Sequence, residues 1–239
     1  MESTTEAVRR SLRTGQIVAF TGAGISAESH VPTFRAAGGL WRNYSPERLA
    51  TPEAFSSDPR LVWEWYDWRR QIIHNAQPNS GHQALAEIER RATGRFTLVT
   101  QNVDGLHDRA GSRNVVKLHG DIWRVRCTSC GAEEQNEQVP LDPLPPHCRC
   151  GALLRPAVVW FGEALPECAW ERAFEAAARA AVFLAIGTSA LVYPAAGLVR
   201  VACQSGARVV VVNPDPTPAD EHAEWILRGS AGEILPRLL

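Results

Sequence analysis

Five short apolar runs, rich in β-branched residues, each stop at a polar or glycine-bearing cluster. Residues 17–20 run into Thr21, Gly22, Ala23, Gly24, Ile25 and Ser26, and residues 96–100 into Gln101, Asn102, Val103 and Asp104. Residues 115–118 run into His119 and Gly120, residues 181–186 into Gly187, Thr188 and Ser189, and residues 208–212 into Asn213, Pro214 and Asp215. Apolar runs of this length that do not alternate read as strands buried on both faces, as in a parallel sheet. Ligands of open α/β sheets bind beyond the carboxyl ends of the strands, where all five clusters would stand. The pattern predicts an α/β fold with a doubly wound parallel sheet. Its cleft would collect a phosphate loop, an amide pair, an acid, a histidine and a ribose-facing Asn213.

Between these runs the periodicity becomes helical. Residues 5–14 predict a short helix that feeds the first strand. Residues 59–73 have helical spacing, with Asp58 as cap and Pro59 at the first helical position. Residues 79–89 predict another helix, with Ser80 as cap, and helices are expected over 105–110 and 167–180. Two segments break the rhythm. Residues 36–79 crowd Trp41, Trp63, Trp65, Tyr66 and Trp68 among charges. Residues 126–154 hold four cysteines, several prolines and few apolar residues, too little core to hold without a staple. Residues 158–161 are expected to bring the chain back to the sheet. The sheet domain would comprise 1–35, 80–125 and 155–239, and the helical insertion 36–79 and cysteine insertion 126–154 would form a smaller domain.

Composition narrows the function. The 239 residues suffice for one α/β domain and a small insertion. A net charge of −1 gives no global field for nucleic acid or an anionic membrane. No apolar stretch reaches spanning length, and the acidic, polar start does not resemble a secretory signal, so a cytoplasmic protein is predicted. No large apolar stripe is evident, which predicts a monomer. Lys117 is the only lysine. A GC-rich genome accounts for that; avoidance of self-modification by a lysine-directed enzyme would also fit.

Gly22 to Ala27 fits G-x-G-x-x-A between a strand and a helix. Gly22 would permit the turn, Gly24 would admit a pyrophosphate, and small Ala27 would let helix and strand pack closely. No acid stands about 20 residues on to hold a ribose, which leaves Asn213 for that contact. Cys127, Cys130, Cys148 and Cys150 have the spacing of a closed, structural zinc site, with His147 as the alternative to Cys148. His119, at the end of a buried strand, is placed to act as a general base. Gln101, Asn102 and Asp104 could hydrogen-bond a carboxamide and a ribose hydroxyl, and Asp104 could also cap the following helix. His74, His82, His107 and His222 read as surface or packing residues.

Taken together, Gly22 to Ser26, residues 32–35, Gln101 to Asp104, His119 with Gly120, the four cysteines, residues 158–163, Gly187 to Ser189 and Asn213 occur in the order found in sirtuins, the NAD-dependent protein lysine deacylases. The resemblance runs from about residue 10 to the end. It implies a Rossmann-like domain and a small helical and zinc-ribbon domain, with NAD and acyl-lysine meeting between them. It implies that Gly22, Ala23 and Gly24 hold the pyrophosphate, that Phe34 and Arg35 belong to a mobile cofactor loop, and that Ser26, Ala27 and Trp41 are also cofactor-binding. Asn102 and Asp104 would serve the nicotinamide pocket, and Gln101 the ribose. Gly187, Thr188, Ser189, Asn213, Asp215 and Ala231 would flank the adenosine half. His119 would be the base, and Val159, Phe161, Gly162 and Glu163 would pair with an acylated-lysine peptide as an added strand. One zinc would be structural. Tyr66 and Arg69, at i and i+3, resemble the pair by which one sirtuin class recognises succinyl and malonyl groups, with Ala50 leaving room for the longer chain. Both deacetylation and desuccinylation would follow, with nicotinamide and 2′-O-acyl-ADP-ribose released. An NAD-dependent protein ADP-ribosyltransferase and a non-catalytic NAD-sensing module are the alternatives. One departure is His30, where the family usually has glycine.

Overall fold

The computed structural model describes residues 3–33 and 46–239. The expectations for Phe34, Arg35 and Trp41 lie outside the described residues.

Helix α1 (Thr4–Ser11) is set by a reciprocal cap. Ser3 Oγ accepts from Glu6 N, and the Glu6 carboxylate accepts from Ser3 N. It ends three residues before the predicted limit. Strand β1 (Ile17–Thr21) follows, then the single turn of α2 (Gly24–Ala27). Further on come α3 (Pro46–Leu49), α4 (Pro52–Ser57) and α5 (Pro59–Asn75). Asp58 Oδ1 accepts from Leu61 N at 2.9 Å and Pro59 starts α5, as the sequence predicted. Helix α6 (Ser80–Ala92) is capped by Asn79 instead of Ser80. The Asn79 carboxamide accepts from Gly81 N and His82 N, while Ser80 Oγ turns away to Gly232 O.

The chain then forms β2 (Phe96–Thr100), α7 (Leu106–Arg109), β3 (Val115–Lys117), β4 (Gly120–Cys127), β5 (Glu133–Gln135) and β6 (Leu154–Val158). It finishes with α8 (Glu167–Ala178), β7 (Val182–Ile186), α9 (Gly197–Gln204), β8 (Arg208–Val212), β9 (Trp225–Leu227) and α10 (Ala231–Ile234). The large sheet has the order β3-β2-β1-β7-β8-β9, and all its pairs are parallel. The first three strands grow outward from β1 in one direction and the last three in the other. The order therefore reverses between β1 and β7, and the loops after these two strands carry Gly22 to Ser26 and Gly187 to Ser189. The five predicted runs are five of these strands. The sixth, β9, is only three residues long and holds the exposed Ile226, so no continuous apolar run marks it.

A second, antiparallel sheet has the order β5-β4-β6. The expectation for residues 158–161 is corrected here. Val158 ends β6 in this small sheet, opposite Gly120, instead of rejoining the large one. Apolar residues on the two faces of the large sheet form two cores under its helices. A third core joins Trp63, Trp65 and Tyr66 of α5 to Ile122, Val125 and Leu154 of the small sheet and to Trp160. The Trp-rich segment and the cysteine segment thus share one interior.

Candidate active site

The two glycine loops lock together at the switch point. Gly22 N donates to Ile186 O at 3.0 Å, and Gly24 N to Gly187 O at 2.8 Å. A Cβ on Gly24 would lie 2.7 Å from Gly187 O and 2.8 Å from Gly187 Cα, both main chain. The need for glycine thus comes first from loop against loop, and among the described residues Ala23 keeps the unspent N–H of this turn. Ala27 is exposed and does not pack helix to strand; Ile25 and Ser26 are the buried residues of α2. His30 has φ 60°, the left-handed region that glycine occupies without strain.

Beneath this loop lies a buried polar network. Ser26 Oγ donates to Asp104 Oδ2 at 2.8 Å and accepts from Asn102 Nδ2 at 3.2 Å. Asn102 Nδ2 also donates to Gly22 O at 3.0 Å, and no described residue engages its Oδ1. Asp104 Oδ1 accepts from Leu106 N at 2.9 Å, so this acid both starts α7 and holds Ser26. Burial raises the Asp104 carboxyl above its ordinary range, against the bonds from Leu106 N and Ser26.

His82 and His107 border this network; of the surface and packing readings, burial leaves packing, to which their hydrogen bonds add. They are 0% and 2% exposed, with ring centroids 4.8 Å apart. His82 Nδ1 accepts from Asn79 N, so its Nε2–H points at Ser26 Oγ, 3.4 Å away. His107 Nε2 lies 2.9 Å from Thr21 Oγ1, which donates to Thr100 Oγ1. Burial pushes His82 down to about 4 and His107 well below the usual imidazole value. The sequence held a hint: a histidine three places after the Asn79 cap falls on the inner face of α6.

His119 stands between β3 and β4, half-buried. Its Nδ1 lies 2.9 Å from Gln101 O, a carbonyl that can only accept, so Nδ1 carries the proton and Nε2 is a bare base. Burial lowers its pKa, against that bond. Gln101 Nε2 donates to Thr188 Oγ1 at 2.9 Å, tying the β2 loop to the β7 loop. At the end of β8, Asn213 Nδ2 donates to Asp215 O at 2.8 Å. Ala231 is buried at the start of α10, where Glu28 accepts from Ser230 Oγ and Gly232 N, both at 2.8 Å. Lys117 ends β3, two residues before His119, and its charge helps lower the His107 pKa. Its Nζ is 2.7 Å from Asp121 and 3.0 Å from Asp108, and this pairing outweighs burial and raises its pKa.

The segment after β6 is fastened on both sides. Val159 N donates to His119 O and Phe161 N to Ala50 O, both at 2.9 Å. Glu163 accepts from Trp160 N and pairs with Arg155 at 2.6 and 2.9 Å. Burial would raise the Glu163 carboxyl, but these bonds outweigh it and leave the pKa lowered. Among the described residues, the Gly162 N–H and the Val159 and Phe161 carbonyls remain unspent, and Phe161 projects its ring into solvent. Leu191, Val192 and Tyr193, which the sequence reading passed over, are likewise exposed after the Gly187 loop; three apolar residues in a loop were the available signal.

Tyr66 and Arg69 are buried, not an exposed pair. The Tyr66 hydroxyl accepts from Trp160 Nε1 at 2.8 Å, leaving its own proton to donate, and burial pushes its pKa to about 12. Burial also lowers the Arg69 pKa, while the charges of Tyr66 and Asp104 favour its cation. The fold therefore brings Ala50 to Phe161, Tyr66 to Trp160 and Arg69 toward Asp104.

The sulfurs of Cys127, Cys130, Cys148 and Cys150 all lie within 4.8 Å of one another, and none is in a disulfide. Contacts of 3.5 and 3.8 Å match the edge of about 3.8 Å expected for four thiolates about 2.3 Å from a zinc ion. Ser129 N and Cys130 N both point at Cys127 Sγ and help lower its pKa to about 6. The clustered fourth ligand is Cys148; the main chain of His147 pairs with Leu153. The donor set fits one structural zinc and leaves no open position for chemistry.

A doubly wound dinucleotide-type sheet, a histidine base at its carboxyl edge and a closed thiolate module define a nucleotide-dependent enzyme class. The chain belongs to the Sir2 family, which matches it over residues 22–194. It is 57% identical to a Pyrobaculum aerophilum protein named NAD-dependent protein deacylase 2, over 93% of this chain and 89% of that one. It is 52% identical to the NAD-dependent protein deacylase of Thermus thermophilus, over 100% and 95%. A Sir2 homologue solved in complex with NAD superposes with a TM-score of 0.93 at 49% identity, over 99% of this chain and 93% of that one.

Proposed function

We propose that this protein is an NAD-dependent protein lysine deacylase that removes acetyl groups and acyl groups ending in a carboxylate, such as succinyl and malonyl. Family membership and relatives named as deacylases support the activity. The observation that carries it is His119, whose Nε2 is held bare by Gln101 O at the sheet edge where Asn102 and Asp104 converge.

NAD fits the residues present. Asn102 keeps Oδ1 for a carboxamide N–H, Ala23 keeps an N–H at the glycine turn, and Thr188, Ser189 and Asn213 rim the next loops. When bound, NAD supplies a ribose carbon with a cationic leaving group, nicotinamide. His119 Nε2 takes the proton of a ribose hydroxyl, and its lowered pKa keeps it unprotonated for this at neutral pH. Gln101 holds its tautomer. The 159–163 segment takes the peptide as an added strand through the groups of Val159, Phe161 and Gly162 left unspent, with little demand on sequence. Burial of Asn102, Asp104 and Thr188 keeps water from the reacting atoms. The four cysteines would hold zinc, which takes no part in the chemical steps.

Tyr66 and Arg69 receive the acyl carboxylate. A phenol proton and a guanidinium together suit a carboxylate, and burial strengthens both bonds. Ala50 leaves the space. The enzyme works as a cytoplasmic monomer; four close cysteines built as a metal site suit a reducing compartment. A sizing column checks the monomer.

Mixing the enzyme with NAD and acetyl- or succinyl-lysine versions of one peptide tests the reading. Acyl-dependent nicotinamide release is expected. Label transferred to protein would indicate ADP-ribosyl transfer, and NAD binding without turnover would indicate a sensor. Arg69→Met should cut kcat/KM for the succinyl peptide by about 100-fold and for the acetyl peptide only several-fold. Equal losses would remove Arg69 from acyl recognition.

A further inference from the structure

Helix α5 is fastened along one side, turn by turn, to the small sheet and the segments that leave its strands. Trp63 Nε1 donates to Leu154 O at 2.8 Å, and Tyr66 accepts from Trp160 Nε1 at 2.8 Å. Asp67 Oδ1 accepts from Leu141 N at 2.8 Å, and Arg70 Nη2 donates to Asn136 O and, at 2.8 Å, to Asn136 Oδ1. Positions 63, 66, 67 and 70 follow the i, i+3, i+4, i+7 spacing of one helix face.

Two of these partners, Asn136 and Leu141, lie between Cys130 and Cys148. That stretch has little interior of its own, and β5 within it is exposed at every residue. Its conformation therefore depends on closure of the thiolate site. Arg70 is an expensive way to hold it. The side chain is fully buried, its Nε and Nη1 have no partner among the described residues, and its guanidinium lies over the Trp123 ring at 5.1 Å. An apolar side chain of similar volume commonly serves stability as well or better. What an apolar residue would not supply is a directed bond that fixes the rotation and height of α5.

We infer that Arg70 and Asp67 are positioning residues for acyl selectivity, tying α5 to the metal-closed loop and so fixing where Tyr66 and Arg69 stand. The zinc module thereby governs which acyl group is accepted, although it touches no reacting atom. This rests on the reading of Tyr66 and Arg69 as the acyl-carboxylate pair.

The test uses the zinc-loaded full chain carrying Arg70→Met or Arg70→Lys, with unmutated enzyme and Arg69→Met alongside. KM and kcat are measured on acetyl- and succinyl-lysine versions of one peptide, together with zinc content and amide hydrogen exchange across residues 59–75. For Arg70→Met, the succinyl KM should rise about tenfold while the acetyl KM and both kcat values stay within about twofold. Zinc should remain bound, and exchange should accelerate in α5 but not in β1 or β2. Arg70→Lys keeps the charge and one donor and should recover part of the loss; it carries the same comparison if Arg70→Met loses its fold or its zinc. An unchanged succinyl KM, or equal losses on both peptides, overturns the inference. If Arg69→Met removes the selectivity and Arg70→Met does not, the coupling alone is refuted. If unmutated enzyme ignores succinyl-lysine, the pocket reading falls with it.

Discussion

Acid should loosen this enzyme from beneath its first glycine loop. His82 and His107 are buried and in ring contact, His82 held down to about 4 and His107 well below its ordinary range, both chiefly by desolvation. Both are neutral in the folded protein, whereas on an unfolded chain each takes a proton below about pH 6.5. Below that pH the unfolded state binds more protons than the native state, so stability falls as pH falls. The slope is about 1.4 kcal/mol per pH unit for each histidine. The slope is about half this limit at pH 6.5 and approaches it by pH 5.0, so over this range the pair removes roughly 3 kcal/mol, a large share of the 5–15 kcal/mol or so that holds a typical domain together. The His82 share stops growing near pH 4, where the folded protein also takes the proton. His119, lowered by burial, acts in the same direction. Asp104 opposes them, because its raised carboxyl favours the fold as pH falls, but it is one group against three. Denaturant unfolding at fixed ionic strength from pH 7.5 to 5.0, on native protein and on a His82→Gln, His107→Gln double variant, measures the effect. The native midpoint should drop steeply below pH 6.5 and the variant's should drop much less. A flat native profile, or an undiminished slope in the variant, would refute the reasoning.

Three further outcomes follow from the same geometry. His119→Ala should retain NAD affinity, by calorimetry, and lose turnover by about 100- to 10,000-fold, as for removal of a general base; near-normal turnover would take it out of the chemistry. His30→Gly removes a left-handed strain of about 1 kcal/mol at a cost of somewhat less chain entropy, so the melting temperature should hold or rise slightly, and a fall of several degrees would contradict this. Strong chelation should release one zinc per chain and lower the melting temperature, with exchange rising first over residues 127–150. Unchanged heat stability of the apo protein would exclude a structural ion.

The strands of the large sheet were legible because burial on both faces leaves a continuous apolar run, as in residues 182–186 and 208–212. Strand β4 was not, since Gly120 to Cys127 has one face on the third core and one toward solvent, and its polar residues break the run. The site's acids and amides could be read from the strand ends. The partners that orient them could not, because His82 lies on α6 and Ser26 on α2 and only the folded sheet brings them to Asp104. The glycines were found for an incomplete reason. Their nearest constraint is the loop after β7, more than 160 residues along the chain, a contact that local spacing does not encode. Tyr66 and Arg69 shared a helix face from spacing, but their burial depends on Trp160.

The clamp on Lys117 means that the enzyme offers its own reaction almost nothing to act on. An amine must shed a proton before it can attack an acyl donor, and Asp108 and Asp121 hold that proton in place. The remaining side-chain cations are guanidiniums, which stay charged throughout the physiological range. Reactive thioesters and acyl phosphates that decorate lysine-rich surfaces will leave this one as translated. Catalyst and clientele are thereby kept chemically distinct, and turnover measured in a purified sample reports the added peptide alone.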